Sequence, residues 1–434
     1  MKIGFVSLPL WGHLNPMISL ACEVKSHGHE VVFVGVEDAA PPVIAAGLDF
    51  HVIAQKEVPR GRNDEIYRSL AKLRGLDIIR YFAETGLALL CKATLEHLPG
   101  AIAALGIDAL AIDTIYFFTE LAAIRMNIPY VHISNVLHMD LTGATPPCQF
   151  PFPYEDSAEA RARNTAAIAE VGKLLLPVIH VAVDYAKKHS LPIDWSVRGS
   201  TTSRTAVLTQ IPKVFDFPKV GCLPQFHYTG PFQDAGARAA VPFPWERLNG
   251  KRIVYASLGT MVNGLEHVYR KIASACSSVP DTQLVLSIGD NIQTDDLGVL
   301  PEDAIVVRKA PQLEILKQAS LCITHAGANT VLESLSAGVP MIAIPIGFDQ
   351  PGMAARVAYH GVGEFIEEEQ LTVDALKIVI PAVLDNAGYK IQAMQMRAEI
   401  LAGDGLKRAA TILLQSLQEA ISLREESRVE LAIK

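Results

Sequence analysis

The sequence predicts an α/β protein with two Rossmann-like, doubly wound domains that face a central cleft. Three observations predict this fold class. Short apolar runs alternate with helical patterns, which is typical of a parallel sheet covered by helices on both faces. A second start at 252–260 repeats the pattern of the opening strand at 2–8. The chain has 434 residues, which is too long for one ordinary core.

The first half contains five predicted strands, each a short apolar run. Helices between them imply right-handed crossovers, and the first helix is predicted at 14–27. The predicted strands are 3–7, 31–36, 109–112, 130–133 and 205–208. Residues 1–232 are therefore predicted to form the first domain.

The stretch 233–250 is interpreted as a linker between the domains, because it contains glycine, prolines and several alanines without a helical or strand period. The second domain is predicted at 251–405. It opens with the second start at 252–260, and its further strand candidates are 284–287, 305–307, 321–324 and 341–344. The last helix, at about 406–424, has no strand after it. Residues 406–434 are predicted to cross back toward the first domain, with a polar, fraying end from residue 425.

Composition excludes several classes of protein. The formal net charge of -8, with no long basic run, argues against nucleic-acid binding. The six cysteines form no Cys-x-x-Cys pair, which argues against zinc clusters and a disulfide framework and favours a cytoplasmic protein with reduced thiols. No stretch reaches the roughly 18 uncharged apolar residues of a spanning helix, so no transmembrane segment is predicted. Peripheral contact with a membrane stays open.

The segment 324–333 is the most informative motif, because it predicts a buried strand that ends in a glycine turn and opens a helix. Unpaired amides and the helix dipole attract anions at such a helix start. His325 adds a donor for phosphate groups. Asn329 and Glu333 are four residues apart and share one helical face, where Glu333 can accept from sugar hydroxyls. The pattern favours a phosphate and ribose site.

His13 follows the first predicted strand, in the loop 11–16, and Asp113 ends another strand. Both are expected at the carboxyl edge of the sheet, where open parallel sheets bind ligands. One interpretation is a general base with an orienting carboxylate. The other is that His13 and Asp113 each cap a helix.

Further turns surround the predicted cleft. Ser257, Gly259 and Thr260 form a strand-to-loop turn whose small residues suit a phosphate, although a routine tight turn has the same pattern. No Gly-x-Gly-x-x-Gly or Walker lysine motif is present, which argues against dehydrogenases and nucleotide triphosphatases. No Asp-x-Asp pair occurs, so a helix start and His325, rather than a metal ion, are expected to neutralise a leaving group.

Taken together, these pieces resemble the family 1 nucleotide-sugar glycosyltransferases of the GT-B fold, over nearly the whole chain. The phrase at 349–356 looks most like the bacterial zeaxanthin glucosyltransferase branch. The segments that match the family's donor signature and catalytic loop are 310–312, 324–330, Glu333, 338–340, Pro345, 349–350 and 12–16.

The resemblance implies a reaction and a role for each matching residue. A hexose, with glucose from UDP-glucose as the expected donor, would be transferred in one inverting displacement without metal or cofactor, the UDP-sugar being a co-substrate. His13 would be the general base and Asp113 would orient it. The implied donor-binding residues are Ser257, Thr260, Ala310, Gln312, His325, Gly327, Asn329, Thr330, Glu333, Asp349 and Gln350. Among these, Ala310 would meet the uracil, Glu333 the ribose, and Asp349 and Gln350 the sugar hydroxyls.

The sequence departs from the plant members of the family in two places. Lys309 stands where those members carry a tryptophan that stacks on the base, so Arg308 or Lys309 is expected to cover the base by a cation–π contact. Ala328 stands at a second tryptophan position, which predicts a roomier sugar pocket.

Aromatic and apolar residues in the first-half loops predict a pocket for a lipophilic hydroxylated acceptor, such as a carotenoid or a phenolic compound. The alternative is that many of these residues belong to the core. The predicted pocket residues are Trp11, Phe117, Phe118, His138 and Met139.

Two other functions remain open from the sequence. A UDP-sugar epimerase on the same scaffold would need acid and base groups around the sugar ring and no acceptor pocket. A noncatalytic nucleotide-sugar binder would need neither, and the combination of His13 with Asp113 argues against it.

Overall fold

The computed structural model of the protein describes residues 1–218, 223–234, 236, 240–259, 264–290 and 292–433, with side chains described as far as residue 426. Within this part of the chain, parallel strands form two separate sheets with helices on both faces. The fold class predicted from the sequence is confirmed.

The first sheet has the strand order β3-β2-β1-β4-β5-β6-β7 and the second β10-β9-β8-β11-β12-β13. The strands of the first sheet are β1 (Lys2–Val6), β2 (Glu30–Gly35), β3 (Asp49–Val52), β4 (Ala109–Asp113), β5 (Tyr130–Ser134), β6 (Ala206–Thr209) and β7 (Phe226–Tyr228). Those of the second are β8 (Arg252–Ser257), β9 (Thr282–Ser287), β10 (Ile305–Val307), β11 (Ala319–Thr324), β12 (Met341–Ala343) and β13 (Gly363–Phe365).

Helices connect the strands and cover the sheets. They are α1 (Trp11–Ser26), α2 (Ala40–Ala45), α3 (Arg62–Leu70), α4 (Gly75–Tyr81), α5 (Ala88–Leu105), α6 (Glu120–Met126), α7 (Ala158–Leu174), α8 (Leu176–Lys188), α9 (Glu266–Cys276), α10 (Gln312–Leu316), α11 (Ala328–Ala337), α12 (Gln350–Tyr359), α13 (Val373–Asp385), α14 (Ala387–Ala402) and α15 (Gly405–Ile433). Between α4 and α5 the helix makes a π-helical turn, Phe82–Leu87.

Each sheet reverses its strand order at one point, between β1 and β4 in the first and between β8 and β11 in the second. At these points Val6 pairs with Ile112, and Ser257 pairs with Thr324. The loops that follow the paired strands leave the sheet next to each other and lead to helices on opposite faces of the sheet. A crevice therefore opens between the two loops. Ligands of doubly wound folds bind at such reversal points.

The predicted strands agree with the observed ones to within two residues at either end, but β3, β7 and β13 were not predicted. Each of these edge strands is partly exposed and carries polar or small residues, so it lacks a continuous apolar run. The last helix, predicted to end at about residue 424, is α15 and continues to Ile433, and the predicted fraying of the end stays a prediction. This helix packs against α1. The predicted domain bounds stay predictions, and both sheets lie within them.

One helical stretch, Gly75–Leu105, is long and apolar enough by composition to cross a bilayer, and 56% of its most apolar window is buried inside the protein. Leu90, Cys91 and Leu95 of this stretch are almost fully buried in the core of the first domain. The bent pair α7 and α8 passes the same test only when taken as one unit. The burial of the long stretch accounts for its apolar composition without a membrane.

Candidate active site

His13 and Asp113 come together because β1 and β4 are neighbours and the elements after them share one edge of the sheet. His13 Nδ1 lies 2.7 Å from Asp113 Oδ2, although the residues are 100 positions apart. The Asp113 carboxylate also accepts from the backbone N–H groups of Leu8, at 3.3 Å, and Ile115, at 3.1 Å. These bonds fix the carboxylate, which in turn orients the imidazole.

The predicted loop around His13 is instead the first turn of α1, which begins at Trp11. Pro16 lies inside this helix. Since proline has no N–H, it cannot donate to the carbonyl four residues earlier, which is that of Gly12. Asn329 Nδ2 of the second domain donates to the Gly12 carbonyl at 2.9 Å. Because Pro16 has no N–H, the Gly12 carbonyl can accept this hydrogen bond from the second domain.

The environment of His13 favours its protonated form. Burial disfavours the charge, but the carboxylate of Asp113 outweighs it through its charge and its hydrogen bond, and Asp349 adds a smaller attraction. The pKa of His13 is therefore raised above its ordinary value of 6.5. An imidazole with a raised pKa is a stronger base, which suits proton abstraction.

His325 lies in the turn between β11 and α11. A Cβ atom at Gly259 or at Gly327 would lie 2.6 Å from His325 Nε2, so both positions need glycine for the ring to fit between the two turns. Removal from water lowers the pKa of His325 to about 4, although a hydrogen bond to the Ser257 backbone opposes this shift. The ring is neutral at pH 7, and among the residues that the structure describes its Nδ1 has no hydrogen-bond partner.

Glu333, one turn into α11, is held by side chains of the second domain. Its Oε2 accepts from Gln312 Nε2 at 2.6 Å. Gln312 Nε2 also approaches Thr330 Oγ1 at 3.3 Å, and the buried Tyr255 hydroxyl donates to Gln312 Oε1 at 2.9 Å. This chain of bonds presents a carboxylate and an amide side by side at the start of α11.

Asp349 and Gln350 stand at the start of α12. Asp349 Oδ2 accepts from the backbone N–H of Leu137, in the first domain, at 3.1 Å. Burial raises the pKa of Asp349 despite this bond and the nearby His13. Gln350 Oε1 accepts from the backbone N–H groups of Ile346, at 2.8 Å, and Gly347, at 3.1 Å. Its amide nitrogen is left for another partner.

These residues surround one cavity of about 310 Å³ between the two domains. Its first-domain side includes His13, and its second-domain side includes Ser257, Gln312, His325, Gly327, Asn329, Thr330, Glu333, Asp349 and Gln350. The remaining first-domain lining is largely apolar, with Leu10, Trp11, Ile79, Phe82, Ala83, Leu87, Ile115, Phe117, Leu137, Met139, Val171 and Leu175 among its residues. The cavity therefore has one apolar and one polar half.

Two of the predicted pocket residues, Phe118 and His138, do not line the cavity, and their placement in the pocket is corrected. The Phe118 ring packs on Trp195, with centroids 5.9 Å apart. His138 Nε2 points to Asp216 Oδ2, at 3.0 Å, inside a buried cluster. The order of residues within a loop does not reveal which side chains face the cavity.

Three other predicted residues carry no geometric support. Thr260 lies outside the described residues. Ala310 is partly buried and packs on the second core rather than lining the cavity. Lys309 Nζ lies 3.3 Å from Asp290 Oδ2 and 5.9 Å from the centroid of the Trp11 ring. The predicted contacts of Ala310 and Lys309 with the base, and of Thr260 with the phosphates, stay predictions.

Sequence reasoning missed Gln210 and Phe348. Gln210 Nε2 donates to Asn329 Oδ1 at 3.0 Å, so Asn329 is bound to the first domain at both ends of its amide. Gln210 directly follows β6, just as Asp113 ends β4. A polar residue where a parallel strand ends is the signal that identified Asp113, and it could have identified Gln210. Phe348 lines the cavity next to Asp349, and its left-handed backbone is not readable from the sequence.

Comparisons with known proteins identify the family and the fold. The profile of the family described as UDP-glucoronosyl and UDP-glucosyl transferase matches residues 173–400. Zeaxanthin glucosyltransferase of Pantoea ananas is 26% identical over 414 residues, covering 94% of this chain and 94% of that protein. Demethyllactenocin mycarosyltransferase of Streptomyces fradiae is 26% identical over 420 residues, 95% of this chain and 85% of that protein. The solved glycotransferase of kitacinnamycin has the same fold, with a TM-score of 0.75, 24% identity and coverage of 96% and 99% of the two chains.

Proposed function

The chain belongs to the UDP-glucoronosyl and UDP-glucosyl transferase family and is a GT-B glycosyltransferase that uses a nucleotide sugar. From this premise we propose that it transfers glucose from UDP-glucose to a hydroxyl group of a lipophilic small molecule. The observation that carries the proposal is the pairing of His13 with Asp113 on the cavity whose other side holds His325 and Asp349. Base and donor groups thus meet across one space.

The proposed reaction is a single displacement. His13 Nδ1 is bonded to Asp113, so Nε2 is the nitrogen available to take the proton of the acceptor hydroxyl. The acceptor oxygen attacks the anomeric carbon as the bond from that carbon to the diphosphate oxygen breaks, and UDP leaves with the electron pair. Because the base and the diphosphate groups come from opposite domains, attack is expected from the side opposite the leaving group, with inversion.

The leaving diphosphate is proposed to be stabilised without metal. The start of α11 directs unpaired N–H groups and the positive end of its dipole toward the cavity, and His325 stands at that start. Glu333, held by Gln312, is proposed to accept from the ribose hydroxyls. Asp349 and the amide of Gln350 are proposed to bind the hydroxyls of the sugar.

The apolar half of the cavity supports a lipophilic acceptor. Aliphatic and aromatic side chains from α4, the π-helical turn and α7 line it, and few polar groups interrupt them. The five described cysteines are unpaired, which supports the proposed cytoplasmic location. Contact with a membrane surface would then serve acceptor delivery.

We predict that UDP binding causes His325 to take up a proton. In the unliganded protein its pKa is about 4, and a diphosphate beside the ring would raise it. Calorimetry at about pH 5.5, in two buffers of different ionisation enthalpy, should give a greater proton uptake for wild type than for His325→Gln. The difference between the two proteins removes the contribution of UDP itself. Equal uptake would contradict a role for His325 beside the diphosphate.

The main experiment mixes the purified protein with UDP-glucose and a panel of phenols and hydroxycarotenoids. Expected results are UDP release, a product heavier by one hexosyl group and a β-configured anomeric proton by NMR. Rates should be unchanged by a metal chelator. Return of a nucleotide sugar with altered stereochemistry would favour the epimerase instead. Binding of UDP without turnover of any acceptor would favour the noncatalytic binder.

A further inference from the structure

A segment of the first domain crosses the cleft and docks on the loop 346–349 of the second domain, which ends in Asp349. Gly75, the first residue of α4, donates its N–H to the Ile346 carbonyl at 3.1 Å and forms a parallel bridge with Gly347. Beside this bridge, Arg74 Nε lies 2.6 Å from Glu368 Oε2 of the second domain. The backbone of α4 is thereby fixed to the loop that carries Asp349.

The contact is close enough to restrict the residue at its centre. A Cβ atom at Gly347 would lie 2.5 Å from Cδ1 of the fully buried Ile78 in α4. A larger residue at position 347 would push α4 away from the loop, because the buried Ile78 side chain has little room to move. Glycine at this position therefore allows the close contact between α4 and the loop.

Two aromatic rings extend this contact to the cavity. The rings of Phe82 and Phe348 pack edge to face, with centroids 6.0 Å apart, and both residues line the cavity. Phe82 begins the π-helical turn, and such turns are frequent at functional sites. Phe348 has a φ of 56°, a left-handed conformation that is strained for phenylalanine and that directs its ring to Phe82.

The ring pair lies where the apolar and the polar half of the cavity meet. Ile79, Phe82 and Ala83 belong to the apolar half, whereas Phe348 directly precedes Asp349 in the polar half. An acceptor that packs on Phe82 therefore presses on the ring adjoining the proposed sugar-binding carboxylate. Since the backbone around Phe348 is strained, its conformation depends on contacts such as this one.

We propose that the Phe82–Phe348 contact makes the affinity for the sugar donor depend on the acceptor, so that an occupied apolar half holds Asp349 in its sugar-binding position. Phe82 and Phe348 are positioning residues that act through Asp349. This inference rests on the proposed function, because it takes the apolar half as the acceptor site. The Phe82–Phe348 contact would thereby favour acceptors that are wide enough to reach Phe82.

The test measures the dissociation constant of UDP-glucose with and without an unreactive acceptor. The probe is the O-methyl ether of the panel member that wild type glucosylates fastest, because this ether has no proton to lose. In wild type, saturating ether is expected to tighten UDP-glucose binding about 5-fold. Phe82→Leu and Phe348→Leu should each bring this ratio close to one. The double variant should lose no more than either single variant, since both changes remove one contact.

The matched control is Phe117→Leu, which alters another phenylalanine on the same cavity. The Phe117 ring lies against the Phe118 ring, with centroids 6.3 Å apart. This variant should bind the ether more weakly but keep the 5-fold ratio once the ether is saturating. A purely structural role for the ring pair predicts lower unfolding temperatures with an unchanged ratio, so both quantities are measured for every variant. If Phe348→Leu does not fold, Phe82→Leu decides the question.

Several outcomes overturn the inference. One is a ratio near one in a wild-type protein that turns over its acceptor. Others are a wild-type ratio that survives in Phe82→Leu, or an equal loss in Phe117→Leu. Failure of wild type to glucosylate any panel member refutes the proposed function, and this inference with it. Turnover without acceptor-dependent donor binding refutes only the inference.

Discussion

Replacing His13 with alanine is expected to lower kcat by about 10²-fold or more, the usual scale for a positioned general base. The effect should fall on kcat more than on the KM for UDP-glucose, because the proposed donor contacts of the diphosphate and ribose lie on the second domain. Initial rates of UDP release at saturating donor and acceptor would measure it. Activity of the variant equal to wild type would reject His13 as the base.

The control for this change is His27→Ala, which alters another histidine at the opposite end of α1. His27 is exposed, and its Nε2 lies 3.2 Å from Glu23 Oε1 on the surface. This variant should keep the wild-type rate. A comparable loss in His27→Ala would show that the activity responds to disruption of α1 rather than to removal of the base.

The same site predicts a pH dependence of the rate. Proton abstraction needs the neutral imidazole, so kcat/KM should rise with pH through the pKa of His13. That pKa is raised above 6.5, chiefly because the charge and hydrogen bond of Asp113 outweigh the effect of burial. In Asp113→Asn the charge of the carboxylate no longer outweighs the effect of burial, so the pKa of His13 should fall. The midpoint of the rise in kcat/KM should therefore move to lower pH. An unmoved midpoint would contradict the effect of Asp113 on the pKa of His13.

Replacing Asp216 with alanine is expected to lower the free energy of unfolding by about 3–5 kcal/mol, because it leaves Arg356 buried and uncompensated. Arg356, which is 2% exposed, donates to Asp216 Oδ1 through Nε at 2.9 Å and Nη2 at 2.7 Å. Asp216 belongs to the first domain and Arg356 to α12, the helix that Asp349 precedes. Tyr228 also donates to Asp216, at 2.7 Å. Urea unfolding followed by ellipticity would measure the loss.

Two further variants test the cause of this destabilisation. Asp216→Leu combined with Arg356→Met removes both charges and should recover much of the stability that Asp216→Ala loses. Arg252→Ala removes an ion pair with Asp385 in which the Arg252 side chain is 33% exposed and the Asp385 side chain 61% exposed, and it should cost no more than about 1 kcal/mol. Equal losses in Asp216→Ala and Arg252→Ala would contradict a special role for the buried pair.

Asp216 also predicts how stability changes with acid. Burial would raise its pKa, but Arg356, His138 and Tyr228 together hold the pKa well below its usual range. A carboxylate with a lowered folded-state pKa contributes stability above the unfolded-state value of about 3.9, and this contribution is lost as the pH falls below it. Asp216→Asn should therefore show a weaker acid dependence of stability than wild type. Parallel curves for the two proteins would contradict this.

Local patterns were sufficient for ten of the thirteen strands in the described part of the chain and for part of the site. The predicted strand at 305–307 is observed unchanged, and the strand predicted at 109–112 is observed as Ala109–Asp113. Asp113 and His13 could be placed together because parallel neighbouring strands end at one edge of a sheet. The conformation around His13 could not be read in the same way. The stretch 11–16 was predicted as a loop, but it forms the first residues of α1, with the Gly12 carbonyl bonded to Asn329.

Contacts between residues far apart in the chain had no signal in the sequence. Nothing near Phe348 indicates that its ring meets Phe82, or that Gly347 must stay small because Ile78 lies against it. The same holds for His138, which was predicted in the pocket and instead approaches Asp216. Each of these contacts joins residues more than 70 positions apart.

The sequence by itself determined the alternation of strands and helices and the edge at which the polar residues gather, because hydrophobic period and strand direction are local properties of the chain. Only the tertiary structure decided which side chains share the cavity and how the acceptor half touches the 346–349 loop. Those contacts depend on how two separately folded sheets pack against each other, and packing selects side chains by shape and distance rather than by their order along the chain.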